Sequence, residues 1–348
     1  MRPVTRLRIL TPSRFMQLHF RPDRQRPATV PVHFAGCGLV RPECVLATRS
    51  GDLFTADWRG GVAHVRPDGS QALYAGTLPD GRPARPNGIA LCRGGRFLAA
   101  DLGETTGGVF ELTREGVWSE YLVRVDGVDL PPSNFVTEDH AGRLWITVST
   151  RLAPRALAYN ARVADGFIVL VDQAGARIVA DGLGYTNEAH VSPDGRHLYV
   201  NETFHRKLSR FPLTANGTAG PKEVVTEFGP GAFPDGMAFD QDGGVWIACV
   251  LGNQLIRVDR DGSQERIIDD GDVQHVAAVE QAWLGATLGR TLMDRPHTGV
   301  VRNLASVAFG GPDRRTVFLG NLGGDSIPYF RLPDDCPWIG HAPAHWEL

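Results

Sequence analysis

An all-β fold, a six-bladed β-propeller with about four antiparallel strands per blade, is the class this sequence predicts, and three observations predict it. The first is a repeated offset. A polar residue is followed eight positions later by a glycine at Glu43/Gly51, Asn87/Gly95, Asn134/Gly142, Asn187/Gly195, Asp235/Gly243 and Asn303/Gly311. The second is that each glycine sits in a turn string, such as "RSGD", "HAGR" or "PDGR", where its tolerance of positive φ suits a tight hairpin. The third is the run after each turn: "LFTA", "FLAA", "LWITV", "LYVNET", "VWIACV" and "TVFLG" are rich in β-branched and aromatic residues that suit a pleated surface. Successive anchors lie 44, 47, 53, 48 and 68 residues apart, a period near that of a propeller blade.

Taken in chain order, the first 27 residues carry seven Arg and one Asp but no apolar segment of a secretory signal. Residues 1–35 are therefore expected to form a poorly ordered extension, with Met16 as an alternative start of translation. Residues 36–333 are expected to form the propeller, each unit adding strands such as "GVFELTREG", "GFIVLVDQAG" and "QLIRVDRDG" after the anchor strand and its partner. No segment shows a convincing helical period. The third unit holds an insertion, Thr150 to Gly166, read either as a cover for the channel mouth in which Arg151, Arg155 and Tyr159 select the substrate or as a plain surface loop. Residues 334–348 are expected to be a C-terminal tail.

Composition narrows the function. A net charge of −3 with 22% charged residues gives no general attraction to nucleic acid or to acidic membranes. No apolar run reaches the roughly 18 to 20 residues that span a bilayer. Five cysteines without a CxxC pair argue against a disulfide framework and fit a reducing cytoplasm.

If each anchor opens the innermost strand of its blade, six polar side chains converge at one end of the central channel. Glu43, Asn87, Asn134, Asn187, Asp235 and Asn303 all offer oxygen, and none is a soft ligand. Such a set suits one hard divalent cation, Ca²⁺ before Mg²⁺, Mn²⁺ or Zn²⁺. The competing reading is that Asn, Asp and Gly merely shape turns. Glu43, a poor turn former, speaks against it.

These residues also carry a resemblance. "RPECVLA", "RPNGIAL", "NFVTEDHAGRLWIT", "TNEAHVSPDGRHLYV" and "FPDGMAFDQDGGVWIA", in that order over about residues 36 to 325, resemble the blade motifs of the senescence marker protein/regucalcin/gluconolactonase-like family. The resemblance implies a six-bladed propeller lactonase with a divalent metal held by Glu43, Asn187 and Asp235, and with Asn134 touching substrate or completing the metal shell. More distant calcium-using fluorophosphatase and paraoxonase propellers are similar in pairing carboxylates with Asn. Pro132 stands where sugar-lactone members carry Arg, which puts the aldonolactone class in question, and Glu188 stands where Gly is common, read either as added charge near the metal or as a solvent-facing residue.

The expected activity is hydrolysis of a lactone, a small-molecule cyclic ester. A metal would polarise the carbonyl while Asp235, the expected catalytic residue, acts as general base and then acid. Asn134, Asn87, Asn303 and His275 are the expected substrate contacts, His275 as a proton shuttle against the alternative of a structural role. Two other classes stay open: a phosphoesterase or arylesterase of the same architecture, and a non-catalytic propeller that binds metal and small molecules.

Overall fold

The computed structural model of the protein describes residues 14–19, 28–295 and 299–348. Six antiparallel sheets are arranged as the blades of a propeller. Five have four strands each, with inner strands Val45–Ala47, Pro86–Leu91, Ser133–Glu138, Thr186–Val191 and Ala232–Phe239. Each inner strand touches the next, and the sixth, Leu304–Gly310, meets Val45–Ala47 to close the ring. All six glycines expected in turns have positive φ, between 72° and 90°. In five of these turns a backbone bond fixes the hairpin, as from Gly195 N–H to the Ser192 carbonyl at 2.8 Å.

The sixth blade corrects the expected boundary at residue 35. Its order is Leu304–Gly310, Thr316–Asn321, Ile327–Arg331, Ala28–Ala35 and Arg14–Leu18. Met16, Leu18, Val30 and Val32 are buried in the core of this blade, so the stretch is part of the propeller wherever it is described. Alternation of buried and exposed residues along "ATVPVHFA" is the physical reason. The rest of the first 35 residues lies outside the described residues.

The tail 334–348 is likewise fixed to the body. It crosses blades five, six and one, with Gln241 N–H donating to Ile339, Gly340 N–H to Arg314, His341 N–H to Phe239, and Arg49 N–H to Trp346. Trp338 packs edge-on to Trp246, at 5.7 Å between ring centroids.

A helix absent from the expectations, α1 (Val273–Leu284), lies in the long connection between the fifth and sixth anchors and is followed by the single turn α2 (Arg290–Met293). Asp272 caps α1, accepting from Gln274 and His275 N–H at 2.9 and 3.0 Å. Only His275 and Val279 of α1 are buried, too thin a stripe to give a helical period. The 150–166 insertion forms a short 3₁₀ turn, Arg155–Ala158. Its Ala158 and Tyr159 pack with Val279, Leu288 and Met293 in one apolar cluster over the anchor end of the channel. All five cysteines are free, and among the described residues no helix is long and apolar enough to cross a membrane.

Candidate functional site

Four of the six anchors lie at a break in the pairing of the inner strand. The ladder shifts between Pro86 and Ile89, Ser133 and Phe135, Thr186 and Ala189, and Pro234 and Met237, and these intervals contain Asn87, Asn134, Asn187 and Asp235. A bulge lets a residue that is a poor strand former begin a strand, and it re-aims the side chain. Gly236 keeps the approach close: a Cβ there would lie 2.6 Å from the Ala305 carbonyl of the neighbouring inner strand.

The result is a cavity at one end of the channel, lined by Glu43, Asn87, Asn134, Asn187 and Asp235 on the floor and by Arg155, Tyr159, Tyr185, Arg290 and Met293 above. All five floor residues are buried. Five of the six anchors thus share one space, and Asn303 does not. Its amide accepts from Leu251 N–H and donates to the Met293 carbonyl, both at 2.8 Å, so it ties the covering turn α2 to the fifth blade.

The floor amides are oriented by what their NH₂ groups reach. Asn87 donates to the Asn134 side-chain and backbone oxygens at 3.2 and 3.1 Å, Asn134 to Ser149 Oγ at 2.9 Å, and Asn187 to Thr203 Oγ1 at 3.1 Å. Asn87 Oδ1 is buried and takes no hydrogen bond. Glu43 Oε2 accepts from Arg41, at 3.1 Å from Nε and 3.0 Å from an Nη, and the guanidinium lies over Trp58. Burial pushes the Asp235 carboxyl well above the usual range, reinforced by Glu43 and Glu188 and opposed by Arg41 and a hydrogen bond from Asn187. Among the described residues no three His, Cys, Asp or Glu gather as a metal cluster. The donor set that fits a cation here is two crowded carboxylates with amides whose donors already have partners, which suits a hard divalent ion.

Several expectations need revising. Glu188 is buried, not solvent-facing: its Oε2 accepts from Met237 N–H at 2.9 Å and contacts His190 Nε2 at 3.1 Å. His275 is buried in α1 and does not line the cavity. Arg151 points elsewhere, pairing with Asp181 at 2.8 Å and lying over Phe167, whereas Arg155 and Tyr159 do face the cavity. Arg41, Tyr185 and Arg290 were missed. A signal existed for two of them, since Arg41 and Tyr185 each stand two residues before an anchor, and both hold left-handed backbone, φ 56° and 65°.

A second cavity occupies the opposite end of the channel, lined by Cys44, Ile89, Phe135, Glu188, His190, Phe309 and the tail residues His341 and His345.

Comparison with known proteins agrees with this fold. Residues 42–290 match the model of the SMP-30/gluconolactonase/LRE-like region. The 6-deoxy-6-sulfogluconolactonase of Pseudomonas putida is 26% identical over 282 residues, covering 80% of this chain and 81% of the relative. A gluconolactonase from Xanthomonas campestris superposes with a TM-score of 0.65 at 17% identity, covering 93% of this chain and 99% of that one. The calcium-binding protein regucalcin from Agrobacterium tumefaciens gives 0.61 at 19% identity, over 86% and 96%. With its fold, its motif order and most of its length in agreement, the chain belongs to the SMP-30/gluconolactonase/LRE-like family.

Proposed function

We propose that the protein is a divalent-metal-dependent lactonase that opens a cyclic ester by hydrolysis. The observation that carries this reading is the floor of the cavity, where two buried carboxylates meet three amides whose NH₂ groups are already committed to protein oxygens. Relatives named as lactonases, the 6-deoxy-6-sulfogluconolactonase and a pentonolactonase of Haloferax volcanii, support the reaction class.

Glu43, Asn187 and Asp235 would hold the cation, Ca²⁺ first, with Asn134 completing its shell or touching substrate. When bound, such an ion polarises a carbonyl and lowers the cost of negative charge on its oxygen. Asp235 then takes a proton from the attacking water and returns one to the alkoxide that leaves the ring carbonyl. Asn87 contacts the substrate beside Asn134. Phe204, Val250, Met293 and Leu322 supply apolar wall that limits bulk water. Arg41 holds Glu43 in place.

The test is a panel of lactones assayed with purified protein, before and after chelation. Turnover that chelator abolishes and Ca²⁺ or Mn²⁺ restores is expected, with about one metal per chain by elemental analysis. Full turnover in excess chelator would remove the metal from the reaction; metal bound without turnover of any lactone would leave only a binding role.

A further inference from the structure

The walls of the candidate site carry more positive charge than its floor can use. Three guanidinium groups, Arg41, Arg155 and Arg290, line a cavity whose carboxylates are Glu43 and Asp235. Arg41 is committed to Glu43. Among the described residues Arg155 has no carboxylate partner, and its charge acts on the Tyr185 phenol. Arg290 reaches Asp294 at 2.9 Å on the exposed rim and hydrogen-bonds Tyr159 inside, which in turn bonds Tyr185. Burial holds the Tyr185 hydroxyl protonated, so it stays a donor. Two guanidinium forks and two phenols therefore meet above the floor, and with a divalent ion on the floor carboxylates the only carboxylate among the described residues that pairs with Arg155 or Arg290 is Asp294 on the exposed rim.

We propose that Arg155 and Arg290, with Tyr159 and Tyr185, form a subsite for an oxyanion substituent of the substrate. The preferred lactone then carries a carboxylate, sulfonate or phosphate at the end of the ring distant from the scissile carbonyl. Guanidinium groups match such planar or tetrahedral oxyanions with paired N–H donors, and a phenol adds a neutral donor. Both covers are held in place. Asn303 fastens α2, which carries Arg290, and Tyr159 packs against Phe204 with ring centroids 4.8 Å apart. This subsite rests on the lactonase reading of the floor and names the substrate class for it.

Two matched lactones with the same ring, one ending in hydroxymethyl and one in sulfonate or carboxylate, test it. The wild type is expected to favour the charged lactone at least tenfold in kcat/KM. Arg155→Gln and Arg290→Gln should each remove tenfold or more of that preference, mainly through KM, with the loss on the charged lactone at least tenfold larger than on the neutral one. Arg290→Lys should restore part of it. Equal losses on both lactones, or no preference in the wild type, would overturn the subsite. Calorimetric titration of a cyclic ether bearing the same sulfonate separates the two readings. Binding lost in the Gln variants, with no lactone turned over, would sink the hydrolase and keep the subsite. Turnover without charge preference and without ether binding would do the reverse.

Discussion

The two mouths of the channel are built from the same inner strands, yet their chemistry is opposite. At the bulged end stand carboxylates, amides and arginines under covers from the third and fifth blades. At the turn end stand Cys44, Ile89, Leu91, Met237 and Phe309 with His140, His190, His341 and His345, closed by the tail. Asn87 and Ile89 belong to one six-residue strand and line different cavities. Polarity is thus set by position along a strand, through the bulge, rather than by which blade the strand belongs to. Buried Glu188 lies between the two regions: it lines the turn-end cavity, while its charge acts on Asp235 at the other.

The contrast can be broken by substitution. Asp235→Asn keeps shape and removes the proposed base; kcat/KM on lactones should fall by about a thousandfold, within the range for a proton-transfer group. A loss under tenfold would mean that the bulged end is not where the reaction occurs. Asn303→Ala tests whether the sixth anchor belongs to the scaffold. Losing its bonds to the Leu251 N–H and the Met293 carbonyl should cost about 2 kcal/mol of unfolding free energy, with kcat of the folded protein nearly unchanged. A collapse of kcat at intact stability would return Asn303 to the site.

At the turn end, burial first and then His190 and His140 hold the His345 imidazole down, to about 4. His190 itself pairs with Glu188, and Glu138, Asp139 and His341 also line this cavity. A base whose folded pKa is depressed leaves stability intact above its unfolded value, and stability falls as pH drops below about 6.5 toward 4. The tail should therefore gain amide exchange and protease sensitivity over that window, and His345→Gln should reduce the pH dependence, leaving the part due to His341, whose imidazole burial also holds down. A tail equally protected at pH 7 and pH 4.5 would contradict this. The smallest effect is expected for Arg151→Ala, outside the cavity: under twofold on any lactone, measured beside Arg155→Gln.

Much of the ring was legible because each blade repeats its own local rules. A small polar residue at a bulge, a glycine at positive φ eight positions on and a β-branched run all lie within one hairpin. That Glu43, Asn87, Asn134, Asn187 and Asp235 line one cavity was legible because equivalent positions of a closed ring must face the same end. The covers were not legible. Arg290 reaches the cavity only through packing between two insertions far apart in sequence, and α1 buries too little to show a period. Asn303 shares the register of the other anchors but opens its strand with left-handed backbone, φ 64°, and its amide turns to the covering turn instead. The N-terminal strands were masked by seven arginines, although Val30 and Val32 of "ATVPVHFA" alternate as a half-buried strand should.

That last blade has a consequence for biosynthesis. Ala28–Ala35 pairs with Ile327–Arg331, so an early segment must wait for one about 300 residues later before the ring is fastened. At ribosomal speeds of about 5 to 20 residues per second, the wait is roughly 15 to 60 s. Throughout it the nascent chain displays an unmatched strand edge, the kind of surface on which chaperones act and aggregates nucleate.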